Sequence, residues 1–332
     1  MHPKSASNFR RRFCLTTLLI CYFAWLNAAP AQPWTNTTLS AGQRAALLVA
    51  AMTFEEKVAM VQGVNDSAFI GYVSGNITNN TRLGIPELTL NDGPAGVRIR
   101  SGGNSTTAFP APIAIAATWN PTVARQYGSQ MGAQARGKGI DVLLGPMMNI
   151  PRAYQAGRNF EGAGEDPYLS GVMAAAEVNG IQSQGVIATA KHFVANDQET
   201  LRTYISADVD ERTRQEIYYP PFLKCVRAGV GAVMASYNRI NGRYAGESEA
   251  LNGTLKKLWG FNGLVMSDWS AFFSTAGGMN NGMDLDMFCN YYTSTAISNA
   301  IALGNATPAE LDDMVTRILA AMFQFHIFDS PP

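Results

Sequence analysis

Charged residues are scarce in this chain of 332 residues, because Asp, Glu, Lys and Arg together make up 15% of it. Soluble domains usually carry roughly a quarter. The 25 basic residues equal the 25 acidic ones in number, so the chain lacks the basic surplus typical of nucleic-acid-binding proteins. Hydrophobic residues make up 47%. This composition excludes a highly charged disordered chain and predicts a globular protein with a substantial core and no nucleic-acid partner.

Histidine and cysteine are also few, with three and four residues, and no His-x-x-x-His or Cys-x-x-Cys pair occurs. Such pairs are the usual sequence signs of a zinc site. The chain also lacks a Walker-type phosphate loop and the Gly-x-Ser-x-Gly elbow of serine hydrolases. We therefore expect no metal and no cofactor, and neither phosphate-binding nor serine-hydrolase chemistry.

No apolar run is long enough to cross a membrane. The longest, Phe13 to Leu26, has about 14 residues, whereas a membrane-spanning helix needs roughly 20. It follows the basic residues 10–12 and precedes the small residues 28–31, which is the layout of a secretory signal peptide. We predict that residues 1–31 are such a peptide and that the mature protein is secreted, extracellular and not bound to a membrane; the alternative is a retained anchor. Removing them leaves 21 basic against 25 acidic residues, a net charge of about −4.

The remaining cysteines and the glycosylation sequons fit an extracellular protein. Cys225 and Cys289 could form one disulfide or stay as two buried thiols, and the sequence does not decide between these. Asn-x-Ser/Thr sequons mark candidate surface loops. There are seven of them, at Asn36, Asn65, Asn76, Asn79, Asn104, Asn252 and Asn305.

Short apolar runs, each ending in a polar or turn residue, alternate with helical patterns along much of the chain. Continuous apolar strands separated by helices indicate a parallel sheet that is covered on both faces. Two capping boxes, Thr53 to Glu56 and Thr307 to Glu310, predict helix starts. The predicted strands are Leu88–Asp92, Ile113–Trp119, Val142–Pro146, Ile187–His192, Ala232–Asn238, Leu264–Trp269 and Met283–Met287.

The fold class predicted from this pattern is α/β, with a (β/α)8 (TIM) barrel preferred over an open doubly wound sheet. The mature length of about 300 residues suits a barrel, and no dinucleotide-type Gly-x-Gly-x-x-Gly follows an early strand. We assign the barrel to residues 32–328 and interpret residues 329–332 as the start of a linker.

Polar residues collect at the ends of the predicted strands, where barrel enzymes place their reactive groups. None of these residues is strong evidence of a site by itself. Asp92 could serve only to form a turn, and Arg158 could be a salt-bridged loop residue. A lone His is by default a core residue whose hydrogen bonds are satisfied. Together they favour a sugar site, which needs charged partners for hydroxyls and an aromatic wall for C–H faces. The polar candidates are Asp92, Arg158, Lys191, His192 and Tyr237, with Trp269 as the wall. Asp268, a carboxylate that follows a strand beside this Trp, is the sharpest feature.

Six segments make the sequence resemble glycoside hydrolase family 3, of the secreted β-glucosidase type. The resemblance runs from about Thr53 to Asp329, and six motifs in one order are specific. They are NDGPAGVR (91–98), AGRNFEGAGEDPYLSG (156–171), ATAKHFVANDQE (188–199), ERTRQEIYYPPF (211–222), VMASYNRING (233–242) and GLVMSDW (263–269).

The resemblance implies a function and roles for the site residues. It implies removal of terminal non-reducing β-D-glucosyl residues from β-glucosides and cello-oligosaccharides, with retention of configuration and Asp268 as nucleophile. Asp92, Arg158, Lys191 and His192 would bind hydroxyls of the cleaved sugar. Tyr237 would support the nucleophile, and Trp269 would stack near the leaving group. We expect the cations of Arg158 and Lys191 to hold the pKa of Asp268 down.

The general acid is harder to place. A retaining glycosidase needs a second carboxylic acid roughly 5 Å from the nucleophile. In one branch of the family a His in a Lys-His-Phe-Pro-Gly-His-Gly loop takes its place, but here 191–197 read Lys-His-Phe-Val-Ala-Asn-Asp. In the glucosidase branch a second α/β domain supplies a Glu, and this chain stops where that domain would begin. Glu161, Glu199 and Asp286 could substitute, although the resemblance favours structural roles for them.

Three hypotheses remain open from the sequence. The first is an active β-glucosidase whose acid comes from an unexpected residue or from a complementing chain that carries the α/β domain. The second is a barrel that binds carbohydrate without efficient turnover. The third is a truncated gene product. Two segments after the expected nucleophile, 271–273 and 287–289, depart from the family pattern and indicate either a changed leaving-group side of the pocket or its erosion under relaxed selection.

Overall fold

The computed structural model describes residues 32–64, 73–99 and 105–331, so the predicted leader and the sequons at Asn65 and Asn104 lie outside the described residues. None of the helices in these ranges is long and apolar enough to span a bilayer. The α-helices are α1 Ala41–Ala50, α2 Phe54–Met60, α3 Pro112–Ala116, α4 Pro121–Gly137, α5 Pro167–Gln182, α6 Glu211–Thr213, α7 Tyr219–Arg227, α8 Thr275–Asn281, α9 Ser294–Ala302 and α10 Pro308–Gln324. Shorter 3-10 turns and the π-helical stretches Arg214–Tyr218 and Ala250–Leu258 complete the helical part.

A curled, mainly parallel sheet lies at the centre. Its ladder runs β10-β7-β5-β4-β3-β2, and separate small sheets join β1 to β11 and β6 to β8 and β9. The strands are β1 Gln62–Gly63, β2 Gly75–Ile77, β3 Leu88–Asp92, β4 Val142–Leu144, β5 Ile187–Phe193, β6 Ser206–Ala207, β7 Ala232–Ala235, β8 Arg239–Ile240, β9 Arg243–Tyr244, β10 Leu264–Ser267 and β11 Asp286–Met287. The predicted α/β class is confirmed.

A complete (β/α)8 barrel is not confirmed, because the main ladder has six strands and one of them is reversed. Strand β2 pairs antiparallel with β3. Only residues 78–87 connect the two strands, with no helix between them. A parallel pair needs a crossover of a dozen residues or more, so this short connection forces the reversal.

The predicted strand Ile113–Trp119 is wrong. Residues Pro112–Ala116 form helix α3, with Pro112 in its first turn, and Trp119 lies 72% exposed on the surface. A short apolar run is compatible with either a buried strand or a helix. The run 283–287 is a strand only at its last two residues.

Both predicted capping boxes are confirmed. The side chain of Thr53 accepts the N–H of Glu56, whose carboxylate accepts the N–H of Thr53, and the same reciprocal pair joins Thr307 and Glu310. A third box, Ser40 with Gln43, starts helix α1 and was missed although it follows the same pattern. These caps satisfy backbone donors that have no partner inside the helix.

Strand β5 is the centre of the core. All seven of its residues are buried, including the ionisable Lys191 and His192 at its carboxyl end. Such a strand is buried on both faces because other parts of the fold cover both sides of the sheet. Burying ionisable side chains costs folding free energy unless they have charged or hydrogen-bonding partners. The carboxyl end of β5 is therefore a candidate functional site.

The two cysteines within the described residues are both free and buried. Cys225 lies 3.8 Å from the sulfur of Met148, and burial raises the pKa of Cys289 to about 12. The structure therefore favours the second of the two alternatives that the sequence left open, two unpaired thiols that pack as small hydrophobic residues.

The sequons differ in accessibility. Asn36, Asn79 and Asn305 are exposed, whereas Asn76 is fully buried in β2 and donates to Glu87 at 2.5 Å. The prediction of a surface loop is therefore wrong for Asn76. Asn252 is half-buried in a π-helical stretch rather than in a loop.

Asp329, the first residue of the predicted linker, is tied to the body of the fold. Its carboxylate accepts two hydrogen bonds from the guanidinium of Arg44, both at 2.7 Å. Arg44 also lies over the ring of Phe323, with 4.1 Å between guanidinium carbon and ring centroid. This contact joins helix α1 to the end of helix α10.

A buried acid lies where helices α4 and α5 pack closely. A side chain at Gly128 would meet the backbone oxygen of Glu177 at 2.3 Å, so only glycine permits this approach. Glu177 itself is 5% exposed, and its Oε1 has no hydrogen-bond partner among the described residues. Burial raises the pKa of this carboxyl to about 8.

Glu177→Gln should make the folded protein less sensitive to pH. A carboxyl with a folded-state pKa above its unfolded value favours the folded state less and less as pH rises between the two values. Relative to Gln, wild type should therefore lose about 2–3 kcal/mol of unfolding free energy between pH 5 and pH 7. Urea unfolding at both pH values measures this. The exposed Glu165→Gln is the control, and an equal difference at both pH values would contradict the assignment.

Candidate active site

A cavity of about 1090 Å³ opens at the carboxyl ends of β3, β5, β7 and β10. Carboxyl ends of neighbouring parallel strands meet at one edge of a sheet, which is where ligands bind in such folds. The structure brings together all seven residues proposed from the sequence. The cavity is lined by Asp92, Arg158, Lys191, His192, Tyr237, Asp268 and Trp269, among others.

Asp268 directly follows the buried strand β10 and is 7% exposed. Its Oδ1 accepts the N–H of Trp269 at 2.8 Å. Its Oδ2 has no hydrogen-bond partner among the described residues. One carboxylate oxygen is therefore held by the backbone, while the other is buried at the edge of the cavity without a hydrogen bond.

The expectation that nearby cations depress the pKa of Asp268 is wrong for the site without ligand. Burial raises this pKa, and the charge of Lys191, the N–H of Trp269 and hydrogen bonding from Tyr237 offset that rise only in part. Removing a carboxylate from water disfavours its charged form. The cations are present as predicted, but burial outweighs them.

Lys191 and His192 both reach the cavity although adjacent strand residues normally point to opposite faces. The pairing of β5 with β7 shifts register between Lys191 and Phe193, which is the kind of irregularity that redirects a side chain. Burial lowers the pKa of Lys191, and the charge of Asp92 opposes this.

His192 makes contacts on both ring nitrogens. Its Nδ1 lies 2.8 Å from Oδ1 of Asn149. Its Nε2 lies 3.3 Å from Nη1 of Arg158 and 3.4 Å from Oδ2 of Asp268. Burial first, and then the neighbouring cations, lower the pKa of His192 well below its usual value.

The cation of Arg158 is held in place by a carboxylate. Its Nε and Nη2 each donate to one oxygen of Glu161 at 2.9 Å. This two-point contact fixes the guanidinium plane and leaves Nη1 directed at His192. The structural role expected for Glu161 agrees with this geometry.

An aromatic wall closes one side of the cavity. The indole of Trp269 donates from Nε1 to the backbone oxygen of Ser74 at 3.1 Å. Its ring centroid is 6.1 Å from that of Phe288. Flat apolar rings beside polar groups suit the C–H faces of a sugar.

Comparison with known proteins agrees with this arrangement. The sequence model described as the glycosyl hydrolase family 3 N terminal domain matches residues 37–321. The chain belongs to glycoside hydrolase family 3.

The relatives of this family 3 chain are longer proteins. It is 42% identical over 298 residues to a probable β-glucosidase L of Aspergillus terreus, covering 86% of the chain and 40% of that protein. It is 46% identical over 241 residues to a β-glucosidase of Rhizobium radiobacter, covering 71% of the chain and 28% of that protein. The crystal structure of DesR, a β-glucosidase from Streptomyces venezuelae in complex with D-glucose, superposes with a TM-score of 0.82 at 37% identity. The match covers 87% of the chain and 38% of DesR. The chain thus spans about 30–40% of the length of these relatives.

Sequence reasoning missed two arginines of this family 3 site. Arg98 lies 3.5 Å from the carboxylate of Asp92, and Arg202 lies over the ring of Tyr237, 3.9 Å from its centroid. Glu199 pairs with Arg202 and comes within 3.9 Å of Arg158. Arg98 ends the first family 3 motif, so the signal for it was already in the sequence.

Asp286, considered above as a substitute for the general acid of this family 3 chain, instead accepts hydrogen bonds from backbone N–H groups. Its oxygens accept the N–H groups of Cys289 at 2.6 Å, Tyr291 at 2.9 Å and Tyr292 at 3.0 Å. It is fully buried and absent from the residues that line the cavity. Its role is to shape the turn after β11.

Metal chemistry receives no support from this family 3 site. Across the described ranges, no group of three or more His, Cys, Asp or Glu side chains is arranged to hold an ion. The cations of Arg158 and Lys191 and the unpartnered Oδ2 of Asp268 suit a hydroxyl-rich ligand better.

Proposed function

We propose that this chain carries the sugar-binding and nucleophilic part of a retaining β-glucosidase. It removes terminal non-reducing β-D-glucosyl residues from β-glucosides and cello-oligosaccharides. The observation that carries the proposal is the buried, unpartnered Oδ2 of Asp268, a residue that lines the cavity beside the cations of Lys191 and Arg158. The relatives named β-glucosidases support the substrate class.

Asp268 acts as the nucleophile. Its Oδ2 bonds to the anomeric carbon while the bond from that carbon to the aglycone oxygen breaks, and the leaving oxygen takes a proton from an acid. Water then displaces Asp268 and gives up a proton, so that two inversions give net retention. Hydrogen bonding from Tyr237 and the charge of Lys191 favour the ionised form that this step needs.

The other cavity residues bind the substrate. Asp92, Arg158, Lys191 and His192 offer hydrogen bonds to the hydroxyls of the cleaved glucosyl unit. Trp269 and Phe288 form the apolar wall on the leaving-group side. Many weak polar contacts with one stacked ring are the usual way in which proteins recognise sugars.

The general acid comes from outside the described residues. Besides Asp268, the carboxylates among the described residues that line the cavity are Asp92 and Glu161. Glu161 is bound twice to Arg158, and Asp92 lies beside Arg98 and Lys191. We therefore propose that a complementing chain or a further α/β domain supplies the acid. Carbohydrate binding without efficient turnover is the second candidate function, and it follows from the same observation.

Leaving-group dependence tests this proposal. The chain alone should release dinitrophenol from its β-glucoside, because such a leaving group needs little protonation, and it should leave cellobiose essentially intact. Initial rates on the two substrates measure the contrast. Azide, which attacks the glycosyl-enzyme without a base, should increase turnover and give β-glucosyl azide. Cellobiose cleavage at an ordinary enzymatic rate, about 1–1,000 per second, would show that the acid is already present.

We also propose that the sheet closes into a (β/α)8-type barrel within residues 32–328. Two isolated bridges support closure. Val64 pairs with Asn76 and Met266 pairs with Leu285, which links the β1–β11 pair to both edges of the main ladder. The resulting ring has eight strands, with β2 reversed.

Secretion and glycosylation are likewise proposed. The basic, apolar and small-residue layout of residues 1–31 supports cleavage of a signal peptide. The exposed sequons at Asn36, Asn79 and Asn305 support N-glycosylation. Treatment of the secreted protein with an endoglycosidase should reduce its apparent mass.

A further inference from the structure

One side chain outside the cavity lining holds His192 by three hydrogen bonds. Asn149, 5% exposed, lies in the loop after β4. Its Oδ1 accepts from the backbone N–H of His192 at 3.0 Å and contacts Nδ1 at 2.8 Å. Its Nδ2 donates to the backbone oxygen of His192 at 2.9 Å.

These contacts permit only one orientation of the amide. A backbone oxygen can only accept and a backbone N–H can only donate, so Nδ2 must face the former and Oδ1 the latter. Because Oδ1 can only accept, Nδ1 of His192 must carry a proton. The tautomer of the ring therefore follows from the hydrogen-bond chemistry.

The surroundings of the ring oppose a second proton. His192 is 1% exposed and shares its surroundings with the positive charges of Lys191, Arg158 and Arg202. The negative charges near the ring are the carboxylate of Asp268, which contacts Nε2, and those of Glu161 and Glu199, which lie farther away beside Arg158. A neutral ring with its proton on Nδ1 presents an acceptor at Nε2.

That acceptor has two consequences at the site. In the ligand-free site Nη1 of Arg158, which can only donate, lies 3.3 Å from Nε2. A substrate hydroxyl at His192 replaces this contact by donating its proton to Nε2 and accepting from Lys191 or Arg158. A proton on Nε2 would instead be donated to Oδ2 of Asp268, 3.4 Å away, and would occupy the oxygen that attacks. The state of the ring thus decides whether Oδ2 stays without a partner.

We propose that Asn149 is a positioning residue that keeps His192 in the Nδ1–H tautomer, so that Nε2 accepts from the sugar and does not bind the nucleophile. The catalytic part of this inference rests on the proposed function. The tautomer itself does not, because it concerns the protein without substrate.

Nitrogen-15 NMR of the ligand-free full chain tests the tautomer directly. We expect protonated Nδ1 and unprotonated Nε2 for His192 from pH 5 to pH 8. An Nε2–H tautomer, or a doubly protonated ring, in the wild type would overturn the inference whatever the activity. The observed Nδ1–H tautomer in a protein without glycosidase activity would instead contradict the proposed function alone.

Asn149→Asp tests the link to turnover. The new carboxylate still accepts from Nδ1–H, but its charge favours a second proton and it cannot donate to the backbone oxygen of His192. We expect a doubly protonated ring at pH 5 and roughly 10–100-fold lower turnover of an activated aryl glucoside there, by analogy with residues that orient metal-bound histidines. Turnover should recover towards pH 8, where the second proton is lost.

Two further variants separate positioning from a general loss of structure. Asn179→Asp places the same change on the exposed side of α5 and should leave the pH profile as in wild type. Asn149→Leu removes the acceptor for Nδ1–H without adding charge, so the Nε2–H form, which can donate to Oδ2 of Asp268, should appear in its spectrum at pH 8. A loss of turnover in Asn149→Asp that is equal at pH 5 and pH 8 would contradict the proposed role.

Discussion

Asp268→Asn should lower the turnover of an activated aryl β-glucoside by at least about 1,000-fold, or roughly 4 kcal/mol in the activation barrier. The amide has the shape of the carboxylate but is a poor nucleophile, so no glycosyl-enzyme forms. Its oxygen can still accept the N–H of Trp269, which is 2.8 Å from Oδ1 in the wild type. Glucose affinity, measured by calorimetry, should therefore stay within about threefold of the wild-type value, which corresponds to under about 1 kcal/mol.

The stereochemistry of azide rescue distinguishes loss of the nucleophile from indirect damage. Azide that takes the place left empty in Asp268→Ala attacks the substrate once and should give α-glucosyl azide, whereas the wild type should give the β-anomer after two inversions. The exposed Asp208→Asn serves as a control for the loss of one carboxylate. Turnover near the wild-type rate in Asp268→Asn, or β-azide from Asp268→Ala, would refute the nucleophile assignment.

That the site residues lie together could be predicted from the sequence, because several of them stand at the carboxyl ends of strands. Asp92, Lys191, His192 and Asp268 stand at the carboxyl ends of apolar runs, and a parallel sheet brings such ends together. Asn149 was missed because nothing in its own segment marks it. Its role comes from three contacts with a residue 43 positions away. Long-range hydrogen bonds of this kind leave no periodic signal.

The direction in which the pKa of Asp268 is shifted could not be predicted from the sequence either. The sequence shows that cations accompany Asp268, but its pKa depends on how completely the fold removes the carboxylate from water. The structure makes burial the larger contribution, which reverses the predicted direction. In the same way, β2 is too short to show a strand pattern, with three residues from Gly75 to Ile77, so its reversed direction was not visible before the structure.

A buried ion pair supports strand β10, which directly precedes Asp268, the proposed nucleophile. Lys256 donates from Nζ to Oδ1 of Asp284 at 2.6 Å, and the two side chains are 3% and 0% exposed. The other oxygen of Asp284 accepts the N–H of Val265 in β10 at 2.8 Å. The pair therefore joins the π-helical stretch Ala250–Leu258 to the middle of β10, three residues before Asp268.

Lys256→Met should cost about 3–5 kcal/mol of unfolding free energy at pH 8, the usual penalty for leaving one buried charge without its partner. Methionine fills most of the lysine volume, so the loss comes from the charge rather than from a cavity. Burial raises the pKa of Asp284, and Lys256 is the main group that offsets this. Without the lysine the folded state should hold a proton on Asp284 more tightly than the unfolded chain does, so the loss should shrink when the pH is lowered from 8 to 5.

Chemical denaturation of three variants measures this pair. The exposed neighbour Lys257→Met should change the unfolding free energy by less than about 0.5 kcal/mol. The double variant Lys256→Met with Asp284→Asn should regain at least half of the loss, because the amide oxygen still accepts from Val265 while the unpaired charge is gone. A loss below about 1 kcal/mol in Lys256→Met, or a double variant less stable than the single one, would show that the pair is not what holds β10. If the single variant unfolds at pH 8 and folds at pH 5, the position of Asp268 depends on the charge of Lys256, which is not among the residues that line the cavity.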